Sequence, residues 1–206
     1  MTDRLDNFTD AAFAFAVTLL IIGGGSSIGD SDALLVALGD LPAFAFGFAI
    51  ICMFWIAHVR WRAMRGEGDG LGVGLTLLLV FLILIYVQPL RAMAAATSQW
   101  FTGQGGGFSG NVATLFTIYG TGFVAMSATT AALFADALRS DLSPGQRAYA
   151  RGDRAIWLIL AVTGLVSILV SFTRFGELAA MIYATLPLTI GLYAARHDWD
   201  GTRGSD

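Results

Sequence analysis

Long runs of apolar residues, separated by short polar or glycine-rich segments, make up most of this chain. A helix that crosses a membrane needs about 20 consecutive, mostly apolar residues. Six segments satisfy this, although in the first only Ala11 to Ile22 is continuously apolar. The pattern predicts an all-α, polytopic membrane protein whose single domain, residues 1–206, crosses the bilayer six times, approximately at 9–25, 42–61, 71–91, 111–136, 155–173 and 177–195.

Composition agrees with this pattern. Of the 206 residues, 56% are hydrophobic and only 13% are charged, whereas soluble domains carry about 25% charged residues. Soluble enzyme classes are therefore excluded, and the net charge of −3 lacks the basic excess that nucleic-acid binding requires. The loops between predicted spans are short, so the function must be carried out inside the bilayer or at its two surfaces.

The positions of the arginines predict the orientation. All 12 basic residues are arginines, and basic residues are disfavoured in short exported loops. With six spans, only Arg91 and Arg174 fall on one side of the membrane. The sequence therefore predicts that both termini are cytoplasmic, on the side that collects Arg4, Arg60, Arg62, Arg65, Arg139, Arg147, Arg151, Arg154, Arg196 and Arg203.

Residues that could carry chemistry are scarce within the spans. Asp10, His58 and Asp136 all lie near span ends, and neither HExxH, GxSxG nor a pair of intramembrane aspartates occurs. Cys52 is the single cysteine, so a multi-thiolate metal site is excluded. We expect no enzyme, no cofactor and no fixed metal. Coupled transport lacks a carboxylate at mid-depth.

A glycine-containing segment in the fourth span, residues 117–122, has the sequence Thr-Ile-Tyr-Gly-Thr-Gly. It lacks the TVGYG order whose consecutive carbonyls replace the hydration shell of K⁺. We therefore interpret it as part of a helix, in which Gly120 and Gly122 allow a neighbouring helix to approach closely.

The first span contains a stripe of residues at helical spacing. Counted from Asp10, Phe15, then Thr18 or Leu19, then Ile22 recur at intervals of three and four, which places them on one helix face. Such a face is either a packing surface or the lining of an axial pore that apolar rings narrow by dewetting. Periodicity alone leaves both interpretations open.

Two segments resemble a known family. Residues 4–10, Arg-Leu-Asp-Asn-Phe-Thr-Asp, with the apolar helix after them, resemble the RxxxF(S/T)D motif of the potassium channel family whose human member is lysosomal transmembrane protein 175. Residues 54–58, Phe-Trp-Ile-Ala-His, resemble the FWxxH segment of the same family. Six spans and a chain of this length are similar to its prokaryotic members, which carry one six-span repeat.

The resemblance implies a homotetrameric, potassium-selective leak channel of a prokaryotic inner membrane, without a P-loop filter. K⁺ would be the permeant ion, and the partners would be further copies of the chain and the lipid bilayer. The first helix of each subunit would line the pore, with apolar constriction positions Phe15, Leu19 and Ile22 and a pore-facing hydroxyl on Thr18. The family motifs would form a network that fixes the first helix against its neighbours, and this network comprises Arg4, Phe8, Thr9, Asp10, Trp55 and His58.

Several alternatives stay open at this stage. The same scaffold could serve another cation or proton channel, an ion-coupled transporter, or a membrane protein that conducts nothing. The Thr18 hydroxyl either faces ions or donates to the carbonyl of residue 14. Arg4 and Asp10 are six residues apart and do not share a helix face, so we expect each to find partners on other helices, such as His58.

Two departures from the family pattern concern the pore and the second motif. Phe15 occupies a position where relatives commonly carry Ile, and Val59 stands where a second His often follows FWxxH. The larger ring of Phe15 leaves open whether Phe15, Leu19 or Ile22 forms the narrowest layer.

Overall fold

The computed structural model describes residues 2–22, 41–66, 70–102, 112–173, 179–183 and 185–196. Within these ranges every regular element is an α-helix, which confirms the predicted all-α class. In chain order they are α1 (Thr2–Ile22), α2 (Leu41–Arg65), α3 (Gly70–Thr102), α4 (Val112–Ala137), α5 (Pro144–Ser171), α6 (Ala179–Tyr183) and α7 (Leu186–Arg196).

Four stretches within the described residues are long and apolar enough to cross a membrane. They make the chain a multi-pass membrane protein, as predicted. The four central predicted spans each overlap one of them: Leu41–Arg65, Gly70–Met93, Ala113–Ala137 and Pro144–Ser171. The predicted total of six crossings stays a prediction, since the other two spans end in or include residues outside the described ranges.

Two helices begin well before the predicted spans. α1 starts at Thr2 and therefore includes the whole 4–10 motif, whose carboxylates are stabilised by partners on α2. α5 starts at Pro144, in the segment that the sequence marks as a break. Ser143 and Gln146 form a capping box there, in which each side chain accepts a hydrogen bond from the other residue's backbone N–H. Proline in the first turn is compatible with a helix start.

The last predicted span, 177–195, corresponds to two short helices. α6 has 5 residues and α7 has 11, and each is shorter than a membrane-crossing helix requires. Pro187 stands in the first turn of α7, where its missing N–H is tolerated, whereas a continuous helix through it would lose a hydrogen bond. Residues 23–25, 111, 177–178 and 184 of the predicted spans lie outside the described residues.

The helices pack in an order that keeps α1 and α5 apart. α1 packs on α2 and α3, while α5 packs mainly on α4 and α6. The core between α2, α4 and α5 is aromatic: the Phe54 ring lies 4.8 Å from that of Trp157 and 6.1 Å from that of Phe123. α1 is therefore supported from one side only.

Glycines bring α4 and α5 into close contact. A Cβ atom placed on Gly120 would lie 2.6 Å from Cγ1 of Ile168, and one placed on Gly164 would lie 2.7 Å from Cγ2 of Val124. Gly122 faces the ring of Tyr86 in the same way. Residues 117–122 lie inside α4, so the segment is helical and its glycines serve close packing, as the sequence indicates.

Candidate pore helix and its anchoring network

The helix α1 has a buried face and an exposed face. Thr9, Phe13, Ala16 and Leu20 are buried against the rest of the chain. Thr9 satisfies its hydroxyl locally, since Oγ1 donates to the carbonyl oxygen of Leu5 at 2.8 Å. The opposite face of α1 is largely exposed among the described residues, because α2 and α3 support α1 from one side.

Two of the four predicted pore residues lie on this exposed face. Phe15 is 55% exposed, and Thr18 is also exposed. Leu19 is half-buried and packs against the hydrophobic core, so within one chain it lies at the margin of the face. Ile22 ends α1, and its side chain lies outside the described part of the structure.

The exposed face of α1 differs in chemistry from the lipid-facing surfaces. On α3 the large exposed residues between positions 71 and 85 are apolar, as expected for contact with hydrocarbon, and they are Leu71, Leu77, Leu78, Phe81 and Ile85. On α1 the exposed positions include the polar or charged residues Arg4, Asn7, Asp10 and Thr18. A surface that mixes small, polar and aromatic residues is unsuited to hydrocarbon and suited to a protein interface or an aqueous path.

The Thr18 hydroxyl forms the local hydrogen bond that the sequence allowed. Its Oγ1 donates to the carbonyl oxygen of Ala14 at 3.0 Å. This bond uses the only proton of the hydroxyl, while a hydroxyl oxygen also carries two acceptor lone pairs. The back-bond thus orients the oxygen without removing its capacity to accept from water or contact a cation.

Asp10 is anchored to α2 by Trp55. The indole Nε1 donates to Oδ1 of Asp10 at 2.8 Å, and this bond joins the two family motifs. Asp10 thus finds a partner on another helix, as expected, and this partner is Trp55 rather than His58.

His58 is buried and faces α3. Its Nε2 lies 3.1 Å from Oγ1 of Thr76, and its ring lies 5.3 Å from the ring of Trp61. His58 therefore connects α2 to α3, while Trp55 connects α2 to α1. Arg4 and Phe8 are exposed in the single chain, so the structure brings together only part of the predicted network.

A second link between α1 and α2 was not identified from the sequence. Arg62 donates to both carboxylate oxygens of Asp6, at 2.6 Å from Nε and 3.0 Å from Nη2. Arg62 also donates to the carbonyl oxygen of Gly66 at 2.6 Å. Asp6 is four residues before Asp10, hence on the same side of α1, and Arg62 is seven residues after Trp55. Spacings of four and of seven residues both keep side chains on one helix face. These spacings were the signal in the sequence that could have indicated a second link between α1 and α2.

A buried ion pair joins α2 to α4. Nε of Arg65 lies 3.0 Å from Oδ2 of Asp136, whose side chain has no exposed surface. The other carboxylate oxygen of Asp136 has no hydrogen-bond partner in the described part of the chain. Gly72 on α3 makes room for this pair, since a Cβ there would lie 3.4 Å from Oδ2 of Asp136 and 3.0 Å from the ring of Trp61.

Two ion pairs thus connect α2 to its neighbours: Arg62 with Asp6 of α1 and Arg65 with Asp136 of α4. Among the described residues, no group of three or more histidine, cysteine or carboxylate side chains is arranged to hold a metal ion. Four side chains, spaced by three or four residues along the C-terminal part of α2, each contact a different residue of α1, α3 or α4. They are Trp55, His58, Arg62 and Arg65. The end of α2 therefore acts as the anchoring element for the pore-helix candidate.

The fold is that of solved ion channels. It superposes with a TM-score of 0.81 and 22% identity on the potassium channel MtTMEM175, solved as a variant bound to a nanobody fusion protein, over 93% of this chain and 91% of that one. It also matches a Chamaesiphon minutus homologue of the lysosomal potassium-selective channel TMEM175, with a TM-score of 0.65 and 19% identity, over 96% of this chain and 98% of that one.

The sequence of the first part of the chain agrees with the fold. Residues 4–87 match the family described as endosomal/lysosomal potassium channel TMEM175, and this stretch contains α1, α2 and both motifs. The family match over residues 4–87 and the two structural matches agree with each other, and they confirm the resemblance drawn from residues 4–10 and 54–58. None of the curated protein sequences matches the chain. The family and the fold are those of an ion channel.

Proposed function

We propose that four copies of this chain assemble around their α1 helices and conduct K⁺ passively along the central axis. The exposed face of α1 would line the pore, with Phe15, Leu19 and Ile22 as apolar layers and Thr18 as the hydroxyl layer. The anchoring network would hold each α1 in position. With both termini cytoplasmic, the channel would span a prokaryotic inner membrane.

One observation carries this proposal: the exposed face of α1 is chemically unlike the other exposed faces. Hydrocarbon tolerates the leucine, isoleucine and phenylalanine side chains of α3 but not a face that includes Asn7, Asp10 and Thr18. A fourfold arrangement would remove this face from lipid. It would place the polar positions along water and leave the lipid-facing helices outside.

An apolar layer can close such a pore without a moving plug. When a passage is narrow and lined by hydrocarbon, water leaves it, and an ion that enters must lose its hydration shell. Phe15 is suited to this role because its ring extends away from the chain that carries it. Four such rings around an axis would form the constriction.

The hydroxyl at Thr18 supplies the oxygen that a partly dehydrated ion needs. Its proton is donated to Ala14, so the acceptor lone pairs are directed away from the helix backbone. Four of these oxygens would form a ring one helical turn from the Phe15 layer. Oxygen ligands of suitable number and field strength are the general basis of K⁺ selectivity.

The decisive experiment is ion flux in liposomes that contain the purified protein. Liposomes loaded with K⁺ are diluted into Na⁺ medium in the presence of a protonophore, and proton uptake that balances K⁺ efflux is followed with a pH-sensitive dye. We expect a flux that needs K⁺ inside, falls when Na⁺ replaces it, and requires the protonophore. Equal flux with either cation would favour a non-selective cation channel, and flux without the protonophore a proton pathway.

Two further measurements separate the remaining alternatives. Dependence of the flux on a second solute gradient would favour a coupled transporter, while a stable oligomer without flux would favour a non-conducting protein. The mass of the detergent-solubilised assembly by native mass spectrometry should equal four chains of 21.8 kDa. A mass equal to two chains would contradict the proposal.

The Thr18 layer is tested by a matched pair of variants. Thr18→Val keeps the shape of the side chain and removes the oxygen, while Thr18→Ser keeps the oxygen and removes the methyl group. We expect the ratio of K⁺ to Na⁺ flux to fall in Thr18→Val and to be retained in Thr18→Ser. An unchanged ratio in both variants would move selectivity to another layer.

A further inference from the structure

A row of arginines on α5 continues a face that points to lipid. Leu158, Val162, Leu165 and Leu169 are 44%, 57%, 49% and 68% exposed. Their spacing of three and four residues puts them on one face of the helix. The same spacing, extended toward the start of α5, reaches Arg154, Arg151 and Arg147. The helix therefore presents an arginine row directly beneath an apolar row, on the same face.

The position of the row corresponds to the headgroup layer of the membrane. With a rise of 1.5 Å per residue, Arg154 lies about 6 Å and Arg151 about 10 Å along the axis from Leu158. Headgroup regions add about 5–8 Å on each side of the hydrocarbon core. When the apolar row is in hydrocarbon, the guanidinium groups are thus at the level of the lipid phosphates.

These arginines are available for an external anion. Arg151 and Arg154 are exposed, and neither forms an ion pair within the ranges that the structure describes. The neighbouring carboxylate of Asp153 is buried on another side of α5 and lies 3.9 Å from Nη1 of Arg60. Arg147 donates weakly to the carbonyl oxygen of Leu138, at 3.4 Å, and borders the pair.

The surface belongs to the periphery of the fold. α5 packs on α4 and α6 and does not pack on α1. If α1 lines the axis, the exposed face of α5 is turned away from it. The outward direction of this face rests on the proposed role of α1, whereas the arginine row of α5 does not depend on which ion the protein conducts.

From this geometry we propose that Arg151 and Arg154 form a binding site for the phosphate group of an anionic phospholipid. Guanidinium groups match phosphate oxygens with paired N–H donors, and the acyl chains would lie along Leu158 and Val162. An arginine near an anionic membrane surface contributes a factor of about five in binding. The occupant is a lipid, since only a lipid uses the charged row and the apolar row together.

The test is native mass spectrometry of the detergent-solubilised protein with added phosphatidylglycerol or phosphatidylcholine. We expect bound phosphatidylglycerol to exceed bound phosphatidylcholine, and the double variant R151Q/R154Q to lose most of this difference, by about 25-fold in affinity for two arginines. Arg139→Gln is the matched control, because Arg139 is exposed at the same end of the bundle but lies in the loop before α5. It should bind phosphatidylglycerol like the parent chain.

Three results would overturn the proposal: undiminished phosphatidylglycerol binding in R151Q/R154Q, an equal loss in Arg139→Gln, or displacement of the lipid by soluble glycerol phosphate. The last result would show that a free phosphate suffices without acyl chains. If R151Q/R154Q does not yield a monodisperse protein, R151K/R154K and the two single glutamine variants are measured. The lysine variant should retain part of the preference for phosphatidylglycerol, because it keeps the charge but not the paired donors, and each single variant should lose about five-fold; binding equal to that of the parent chain in both single variants would also contradict the site.

Discussion

The indole Nε1 of Trp55 donates a hydrogen bond to the carboxylate of Asp10 at 2.8 Å, across 45 residues of sequence. The bond joins the two short motifs that characterise the chain and ties the exposed helix α1 to α2. Since α1 is supported from one side only, the loss of this bond should affect the position of α1 more than the integrity of the remaining helices.

The first prediction concerns this bond. Asp10→Ala should reduce the amount of assembled oligomer before it changes ion selectivity, because it removes the acceptor that holds α1 on α2. Trp55→Phe, which removes only the donor, should lower stability by about 1 kcal/mol. Oligomer yield and thermal stability are measured by size-exclusion chromatography after heating. In a double-mutant cycle, Asp10→Ala should cost little more once Trp55 is Phe. Normal D10A oligomers that pass Na⁺ as readily as K⁺ would assign Asp10 to selectivity instead.

The second prediction compares two ion pairs that differ in burial. Arg65→Met leaves the carboxylate of Asp136 uncompensated in a site with no exposed surface, and should destabilise the protein by about 3–5 kcal/mol. R65M/D136L should recover much of this loss, because it removes both charges. Asp6→Asn is the control. The Asp6–Arg62 pair is partly exposed, with 40% of the Asp6 side chain accessible. Asp6→Asn should therefore lower the stability by about 1 kcal/mol or less. Equal thermal shifts for Arg65→Met and Asp6→Asn would show that burial does not set the ranking.

The third prediction tests the close contact of α4 and α5. Gly120→Ala places a Cβ where the Ile168 side chain now lies, and should destabilise the protein by about 1–3 kcal/mol through overpacking. Gly74→Ala is the control within a helix, since no atom lies within 4 Å of the added carbon. It should be neutral or stabilising by up to about 1 kcal/mol, as expected from helix propensity. Thermal melting of both variants in the same detergent gives the comparison, and a lower melting temperature for Gly74→Ala than for Gly120→Ala would contradict it.

The fourth prediction concerns the proposed constriction. Phe15→Ala should raise basal K⁺ flux severalfold, because it removes the apolar ring that would exclude water from the pore. Phe81→Ala is the control: Phe81 is similarly exposed, at 59% against 55% for Phe15, but lies on α3 beside the exposed apolar residues Leu77 and Ile85. Its flux should match that of the parent chain. Unchanged flux in Phe15→Ala would move the gate to Leu19 or Ile22.

The apolar pattern was sufficient to predict the helices and the membrane. Transfer of apolar residues into hydrocarbon depends on composition and length, which are local properties. The stripe on the first helix was also visible, since helical spacing places Phe15 and Thr18 on one face. The helices α1 and α5 begin before the predicted spans, because a hydropathy criterion ends at the membrane surface, whereas a helix ends where its backbone hydrogen bonds and caps end.

The partners of the charged and polar residues were decided by tertiary structure alone. Asp6 and Arg62 are separated by 56 residues, and Arg65 and Asp136 by 71. His58, expected beside Asp10, lies beside Thr76 instead. Local sequence determines on which face of its own helix a residue lies. The neighbouring helix that this face contacts depends on how all the helices pack together. The sequence by itself thus determined a helical membrane protein with an unusual first helix, and only the packing of α2 against its neighbouring helices determined what holds that helix in place.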